Sequence, residues 1–271
     1  MTNRLPAMLH AASFNFLFIL CSMAHRYFIE VSYNGLNYSG FQTQQNAATV
    51  QNTLEKAMAT VLREPVALTG SSRTDAEVHA RQNFFHADLE RPVGPRAIYN
   101  INAVLPADIS VNSIREVKPE AHCRFDALSR AYGYYVYGRK DPFLHHRAFF
   151  YPYTLSMELL EAAAAIVQRQ TDFEHYSKRH SQVKTTKCTI LESRWERVNG
   201  LLVYRVKANR FLRGMVRGLT GTMLKTGSGK ISLEAFEQSF HVPTPGCVDF
   251  SVPGYGLFLE EVAYPEKIFE V

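Results

Sequence analysis

Residues 70–89 read GSSRTDAEVHARQNFFHADL and set Asp75 in a run of small residues, with Arg73 two positions before it and His79 four after. Gly70, Ser71, Ser72, Thr74 and Asp75 are turn and cap formers, and an aspartate in such a run ordinarily bonds its own backbone. Chemistry at a lone carboxylate therefore needs partners from elsewhere in the chain. Arg210, Arg213 and Arg217 recur at i, i+3 and i+7, so on a helix they share one face. Gly214, Gly218 and Gly221 fall in the same stretch, and a glycine inside a helix costs roughly 1 kcal/mol against alanine. Three of them imply either a backbone or ligand in close approach, or tight helix–sheet packing. Tyr132 and Tyr134 point to one side of a strand, which by itself is the pattern of core aromatics.

Other chemistries find no support in the spacing. Cys21, Cys123, Cys188 and Cys247 lie far apart with no C-x-x-C, so neither a disulfide framework nor a zinc cluster is expected. His145 and His146 are adjacent, no cysteine spacing supports them as ligands, and they read as surface or packing histidines. An aspartate-dependent hydrolase would want a second acid or a metal at a spacing that is not offered. No G-x-G-x-x-G or P-loop is present.

The elements that must carry these residues follow from periodicity. Residues 25–33 alternate Tyr27, Ile29, Val31 and Tyr33 on one face, a strand, and Asn34-Gly35 marks a turn. Residues 49–64 place Val50, Leu54, Met58, Val61 and Leu62 at helical spacing, with Thr49 as N-cap and Pro65 as terminator. Residues 83–88 and 111–117 read as strands, and 100–106 as a loop. In the second half, 131–137 is a strand and 157–170 a helix. Residues 188–198 and 201–208 form a hairpin turning at Asn199-Gly200. Residues 211–226 carry Leu212, Met215, Val216, Leu219 and Met223 on a helical stripe, and 257–262 is a final strand. The pattern predicts an α+β fold with a largely antiparallel sheet, in two similar halves meeting near residue 120.

The chain has 271 residues, 46% hydrophobic and 20% charged, enough for a real core and unlike a disordered chain. Its net charge of +5 is uneven: residues 178–230 hold 13 lysines and arginines against 2 acids, a surplus of 11 that leaves −6 elsewhere. A basic face of this kind suits a polyanion such as a phosphate backbone; a solvated surface is the plain alternative. Near the N-terminus, FNFLFIL and its neighbours are apolar for roughly ten residues, too short for a membrane span. Arg4 and His10 precede it, so residues 1–22 imitate a signal peptide, yet no paired cysteines follow. The expectation is that Met23 is the start and that 1–22 is a non-native or dispensable leader. An organelle-targeting leader is the other reading, though the segment is poor in Arg and Ser for that.

Six motifs stand in order: YNGLNYSGFQTQ at 33–44, SRTDAEVHA at 72–80, NAVLPADISV at 102–111, HCRFDALSRAYGYYVY at 122–137, KANRFLRGMVRGLTG at 207–221 and GLFLEEVAYP at 256–265. In these residues the chain resembles the tRNA pseudouridine synthase A family, from about residue 26 to 264. The resemblance implies two ferredoxin-like halves sharing a central, mostly antiparallel sheet, with a catalytic cleft between them. Residues 23–118 would carry the Asp75 loop, 119–264 would carry Tyr132 and Arg217, and 265–271 would be a tail. It implies an isomerase that detaches a uridine at N1–C1′ and reattaches it through C5, at positions 38 to 40 of the tRNA anticodon stem-loop. No metal and no cofactor are expected. The implied partners are tRNA and a second copy of the chain, without a membrane, in the cytoplasm.

By the same resemblance Asp75 is the nucleophile, attacking C6 of the base or C1′ of the ribose. A carboxylate does this only when ionised; burial opposes ionisation and a neighbouring guanidinium favours it. Arg217 matches the family arginine for that ion pair. Arg73 matches the arginine that enters the RNA stack and holds the base out, since chemistry inside a stem requires extrusion. Tyr132 matches the tyrosine that stacks on the target base and takes part in proton transfer, and Leu257 corresponds to an apolar pocket wall. Arg210 and Arg213 are expected to bind substrate.

Three positions depart from the family pattern. Ser72 and Glu77 stand where glycine is usual, and Phe41 where tryptophan is common. A non-glycine carries strain wherever φ must be positive, and Glu77 adds negative charge near Asp75 and RNA. The alternative function is therefore a catalytically impaired tRNA-binding protein or chaperone on the same fold.

Overall fold

The computed structural model describes residues 25–178, 184–242 and 246–270. The leader and the start at Met23 lie outside them. In chain order the elements are β1 (His25–Tyr33), α1 (Val50–Leu62), β2 (Thr69–Gly70), β3 (His79–Leu89), α2 (Ala97–Val104), β4 (Ile109–Val117), β5 (Ser129–Tyr137), β6 (Phe149–Phe150), α3 (Met157–Arg169), β7 (Ile190–Val198), β8 (Leu201–Ala208), α4 (Met215–Gly227), α5 (Leu233–Gln238) and β9 (Leu257–Ala263).

Local chemistry accounts for several boundaries. The Thr49 hydroxyl accepts from the Asn52 amide at 3.3 Å, which caps α1, and Val50, Leu54 and Met58 are buried along its inner face. Asn199 and Gly200 both have positive φ, 50° and 80°, as the tight turn between β7 and β8 requires.

Three boundaries differ from the sequence-based expectation. Residues 97–104 form a helix where the asparagines suggest a loop; Ala97 and Ile101 bury into the core, and packing overrides weak propensity. Strand β3 starts at His79, four residues earlier than its apolar run, because His79 and Ala80 pair with Phe258 and Leu259 of β9. Helix α4 starts at Met215, because Gly214 sits in the left-handed region at φ 74°.

The nine strands of the described residues belong to one sheet, in the path β4-β1-β3-β9-β5-β8-β7, with β2 on β3 and β6 on β5. The second half runs β5-α3-β7-β8-α4-β9 along the chain and β9-β5-β8-β7 in space. The first half runs β1-α1-β2-β3-α2-β4 along the chain and β4-β1-β3-β2 in space, the same permutation. Both are ferredoxin-like. The match is imperfect in one place that matters. Strand β2 covers only the Phe85–His86 end of β3, which leaves the His79–Ala80 end open. There β9 pairs in parallel, while its other edge pairs antiparallel with β5. That seam joins the halves. Each half has its own hydrophobic cluster, and Tyr132 packs against both. Among the described residues no helix is long and apolar enough to cross a membrane.

Candidate active site

Asp75 lies at the N-terminal approach to the seam strand β3, in a loop held from several sides. The Thr74 and Tyr33 hydroxyls are 2.8 Å apart, and the Phe41 amide donates to the Thr74 carbonyl at 3.1 Å. Buried Asn83 donates to the Tyr33 hydroxyl at 3.2 Å and to the Ser72 carbonyl at 3.1 Å. A Cβ on Gly35 would overlap the Val78 carbonyl, and one on Gly254 would overlap the Ala76 carbonyl. Two segments far apart in sequence thus close on the loop at backbone distance. The ring of His79 completes the clamp. Its Nδ1 accepts from the Gly35 amide at 3.1 Å, so Nε2 carries the hydrogen, facing the carbonyls of His146 at 3.2 Å and Tyr255 at 3.1 Å. Burial lowers the His79 pKa, which keeps this tautomer neutral. His146, by its sequence context a surface or packing histidine, supplies one of those carbonyls.

Glu77 has φ 66°, so this position does demand the conformation that glycine adopts without cost. Ser72 shows no such strain, and its buried hydroxyl has no hydrogen-bond partner.

Across the seam, Arg217 sits in the first turn of α4 with Nη1 3.6 Å from Asp75 Oδ2. The same guanidinium donates through Nε to the Val252 carbonyl at 2.9 Å. The loop after α5 therefore fixes the arginine while the arginine faces the acid. The glycines of this stretch pack against protein. Gly221 meets the Asp249 backbone, Gly218 meets the Phe250 ring, and Gly214 lies under the Lys178 side chain. Arg210 and Arg213 do not share a helical face with Arg217, since both precede the helix. They lie in the turn between β8 and α4 and reach the same cleft from there.

Tyr132 points into that cleft from β5. Between Ala131 and Tyr132 the register with β9 shifts, leaving Glu260 as the extra residue of a β-bulge. Bulges re-aim side chains beside functional sites. Burial pushes the Tyr132 hydroxyl well above its ordinary pKa, so it stays protonated at neutral pH. Its ring meets Phe211 edge-on, centroids 5.1 Å apart, and Leu257 lies on the same wall. Periodicity places Phe211 inside a helix and gives no sign of this contact. The cleft, about 1120 Å³, brings together Arg73, Asp75, Tyr132, Arg210, Arg213, Arg217 and Leu257.

Two further arginines line it that sequence spacing does not single out. Arg130 is 9% exposed, and its guanidinium is bonded to protein oxygens: the carbonyls of Arg124 at 2.6 Å and Asn209 at 3.1 Å, with Ser71 Oγ at 3.4 Å. It ties the Asp75 loop to the second half. Arg124 is exposed at the cleft, and burial followed by the charges of Arg73, Arg130 and Arg210 lowers its pKa. That crowding leaves like charge concentrated on this wall of the cleft. The basic window elsewhere is partly neutralised, for example by Lys207–Glu261 at 3.2 Å and Lys225–Asp249 at 3.3 Å.

The fold also gathers His86, His122 and Cys123, whose ligating atoms lie within 4.8 Å, a grouping invisible to sequence spacing. The Cys123 thiol donates to the Thr69 carbonyl at 3.0 Å, and the Cys123 amide donates to His86 Nδ1 at 3.3 Å. The charges of Arg26, Arg124 and Arg130 act on the same thiol, so the group is a hydrogen-bonded corner among cations. A second cavity of about 690 Å³ is lined by His79, Asp108, Tyr135 and Phe258 and contains none of Asp75, Tyr132 and Arg217.

A family model described as tRNA pseudouridine synthase matches residues 168–265. The chain is similar to proteins named tRNA pseudouridine synthase A over nearly its whole length. With that of Parabacteroides distasonis it shares 42% identity over 248 residues, 91% of this chain and 98% of the relative. With that of Porphyromonas gingivalis it shares 41% over 249 residues, 90% and 99% of the two chains. The protein from Bacteroides thetaiotaomicron is 41% identical over 248 residues, 90% of this chain and 92% of its own.

Proposed function

This chain belongs to the tRNA pseudouridine synthase A family, and we propose that its cleft isomerises uridine at positions 38 to 40 of the tRNA anticodon stem-loop, with Asp75 as the nucleophile. It is a tRNA pseudouridine synthase, an isomerase. The reaction breaks N1–C1′, turns the base, forms C5–C1′, and moves one proton from C5 to N1, with no net oxidation. The observation that carries the site assignment is the approach of Arg217 to Asp75 at 3.6 Å inside a cleft walled by Tyr132.

Each residue has a task in this reading. Arg217 faces the carboxylate and orients it. Tyr132, held as the neutral phenol, offers its ring face to the uracil and its hydroxyl as a donor. Leu257 and Phe211 exclude water from the base. Arg73, exposed at the cleft mouth, fills the place of the extruded uridine in the stack. Arg210 and Arg213 bind phosphates. Residues 23–118 form the half bearing Asp75, 119–264 the half bearing Tyr132 and Arg217, and 265–271 a tail. The reading extends to a homodimer in the cytoplasm, with RNA running across both subunits.

Incubation with unmodified tRNA followed by pseudouridine mapping tests it. Wild type should convert the uridines, and Asp75→Asn should bind tRNA and convert none. Conversion by Asp75→Asn at the wild-type rate would refute the nucleophile. The strained Glu77 favours the alternative of an impaired tRNA-binding protein; that reading requires a wild type that binds and does not convert, with turnover restored by Glu77→Gly.

A further inference from the structure

We propose that Phe125 is a stacking platform for an unpaired RNA base beside the extruded uridine, an inference that rests on the tRNA reading of the cleft. Phe125 is 74% exposed and lines the cleft itself. Single exposed apolar residues are ordinary on protein surfaces. This one is set apart by the way it is held and by its neighbours.

The turn that carries it is closed on itself. The amides of Phe125 and Asp126 both donate to the His122 carbonyl, at 3.1 and 3.0 Å. The His122 amide donates to Asp126 Oδ2 at 2.7 Å, and the Arg124 amide to His122 Nδ1 at 3.1 Å. Underneath, fully buried Cys123 is bonded to Thr69 and His86, and buried Arg130 grips the Arg124 carbonyl at 2.6 Å. The corner of His86, His122 and Cys123 thus serves as the pedestal of the turn. A ring on such a pedestal loses little freedom when it binds, which is the condition for a useful platform.

The surroundings indicate the ligand. His122 lies on one side of the ring, with centroids 4.2 Å apart at 38°, and the Arg124 guanidinium is 5.8 Å from the ring centroid. An exposed ring with one guanidinium over it, that of Arg124, and Arg73 lining the same cleft fits a nucleotide, the base on the ring and the phosphates on Arg73 and Arg124. Swinging a uridine out of the helix unstacks its neighbours, and a displaced base needs a new surface to cover.

The test compares Phe125→Ala, Phe125→Leu, Phe125→Tyr and Phe125→Trp. Fluorescence anisotropy gives the Kd for an anticodon-arm RNA hairpin, pseudouridine formation gives turnover, and thermal melting checks the fold. Loss of one base–aromatic stack should raise Kd about tenfold or more in the Ala and Leu variants, while Tyr and Trp stay near wild type. All four should melt with the wild type. Leucine restores apolar bulk without a π face, so Phe125→Leu binding as tightly as wild type would overturn the platform. Failure of Tyr and Trp to restore binding would overturn it equally. A wild type that binds but makes no pseudouridine would instead refute the assigned reaction, and the Kd comparison would still decide the platform.

Discussion

Nη1 of Arg217 lies 3.6 Å from Oδ2 of Asp75, while Nε of the same guanidinium is bonded to the Val252 carbonyl at 2.9 Å. One planar group therefore donates to a carbonyl on one segment and faces a carboxylate on another, across the seam between the halves. Lysine, a single point charge without the planar fork, cannot do both at once. Arg217→Ala and Arg217→Lys should both lower kcat by about 10²-fold or more, the scale for loss of a preorganised electrostatic contact. Hairpin affinity should change far less. Single-turnover assays with the hairpin check this; an Arg217→Lys variant of near wild-type rate would show that charge alone suffices.

The same loop limits what α4 tolerates. A Cβ on Gly221 would fall onto the Asp249 backbone. Gly221→Ala should destabilise by about 1–3 kcal/mol despite its better helix propensity, because overpacking outweighs roughly 1 kcal/mol of propensity. Activity should fall too, as the displaced segment includes Val252, which holds Arg217. Gly94→Ala is the control, since a Cβ added there would meet nothing within 4 Å. Thermal melting and turnover of the two variants decide the point.

Glu77 at φ 66° stores strain where glycine would store none. A non-glycine in this region costs about 1–2 kcal/mol, part of which glycine returns through the entropy of the unfolded chain. Glu77→Gly should therefore raise stability by about 1 kcal/mol, some 2–4 °C in Tm. Turnover should be equal or higher. A lower Tm would mean that contacts of the Glu77 side chain outweigh the backbone strain.

Arg73 and Arg130 both add charge to the cleft, yet they should respond differently. Arg73→Ala removes an exposed charge; the slope of log K against log salt for hairpin binding should fall by about 1, with no change in melting. Arg130→Met strips partners from part-buried carbonyls of Arg124 and Asn209 and from Ser71, and should destabilise by about 1–3 kcal/mol. Salt titrations paired with melting curves separate the two. Equal melting of Arg130→Met and wild type would contradict its tying role.

Features set by contacts a few residues apart are legible in the chain before any fold is known. The Thr49 cap and the Asn199-Gly200 turn are present as read, while the stripe of α1 buries Val50, Leu54 and Met58 but leaves Val61 and Leu62 half-buried, and β1 buries Tyr27, Ile29, Val31 and Tyr33 on the expected face but also Phe28 on the other. The six ordered motifs identified the family in the same way. How distant segments meet is another matter. Nothing local indicates that β9 inserts in parallel beside β3, since that pairing depends on β2 being too short to cover the strand. The approach of Asp75 to Arg217, 142 positions apart by their numbers, follows from that seam. Equally illegible is the turn that carries Arg210 and Arg213, where Gly214 adopts positive φ ahead of α4 with the Lys178 side chain packed over it. Short-range forces fix the period of a segment, whereas the order of strands in a sheet is fixed only when the whole core closes.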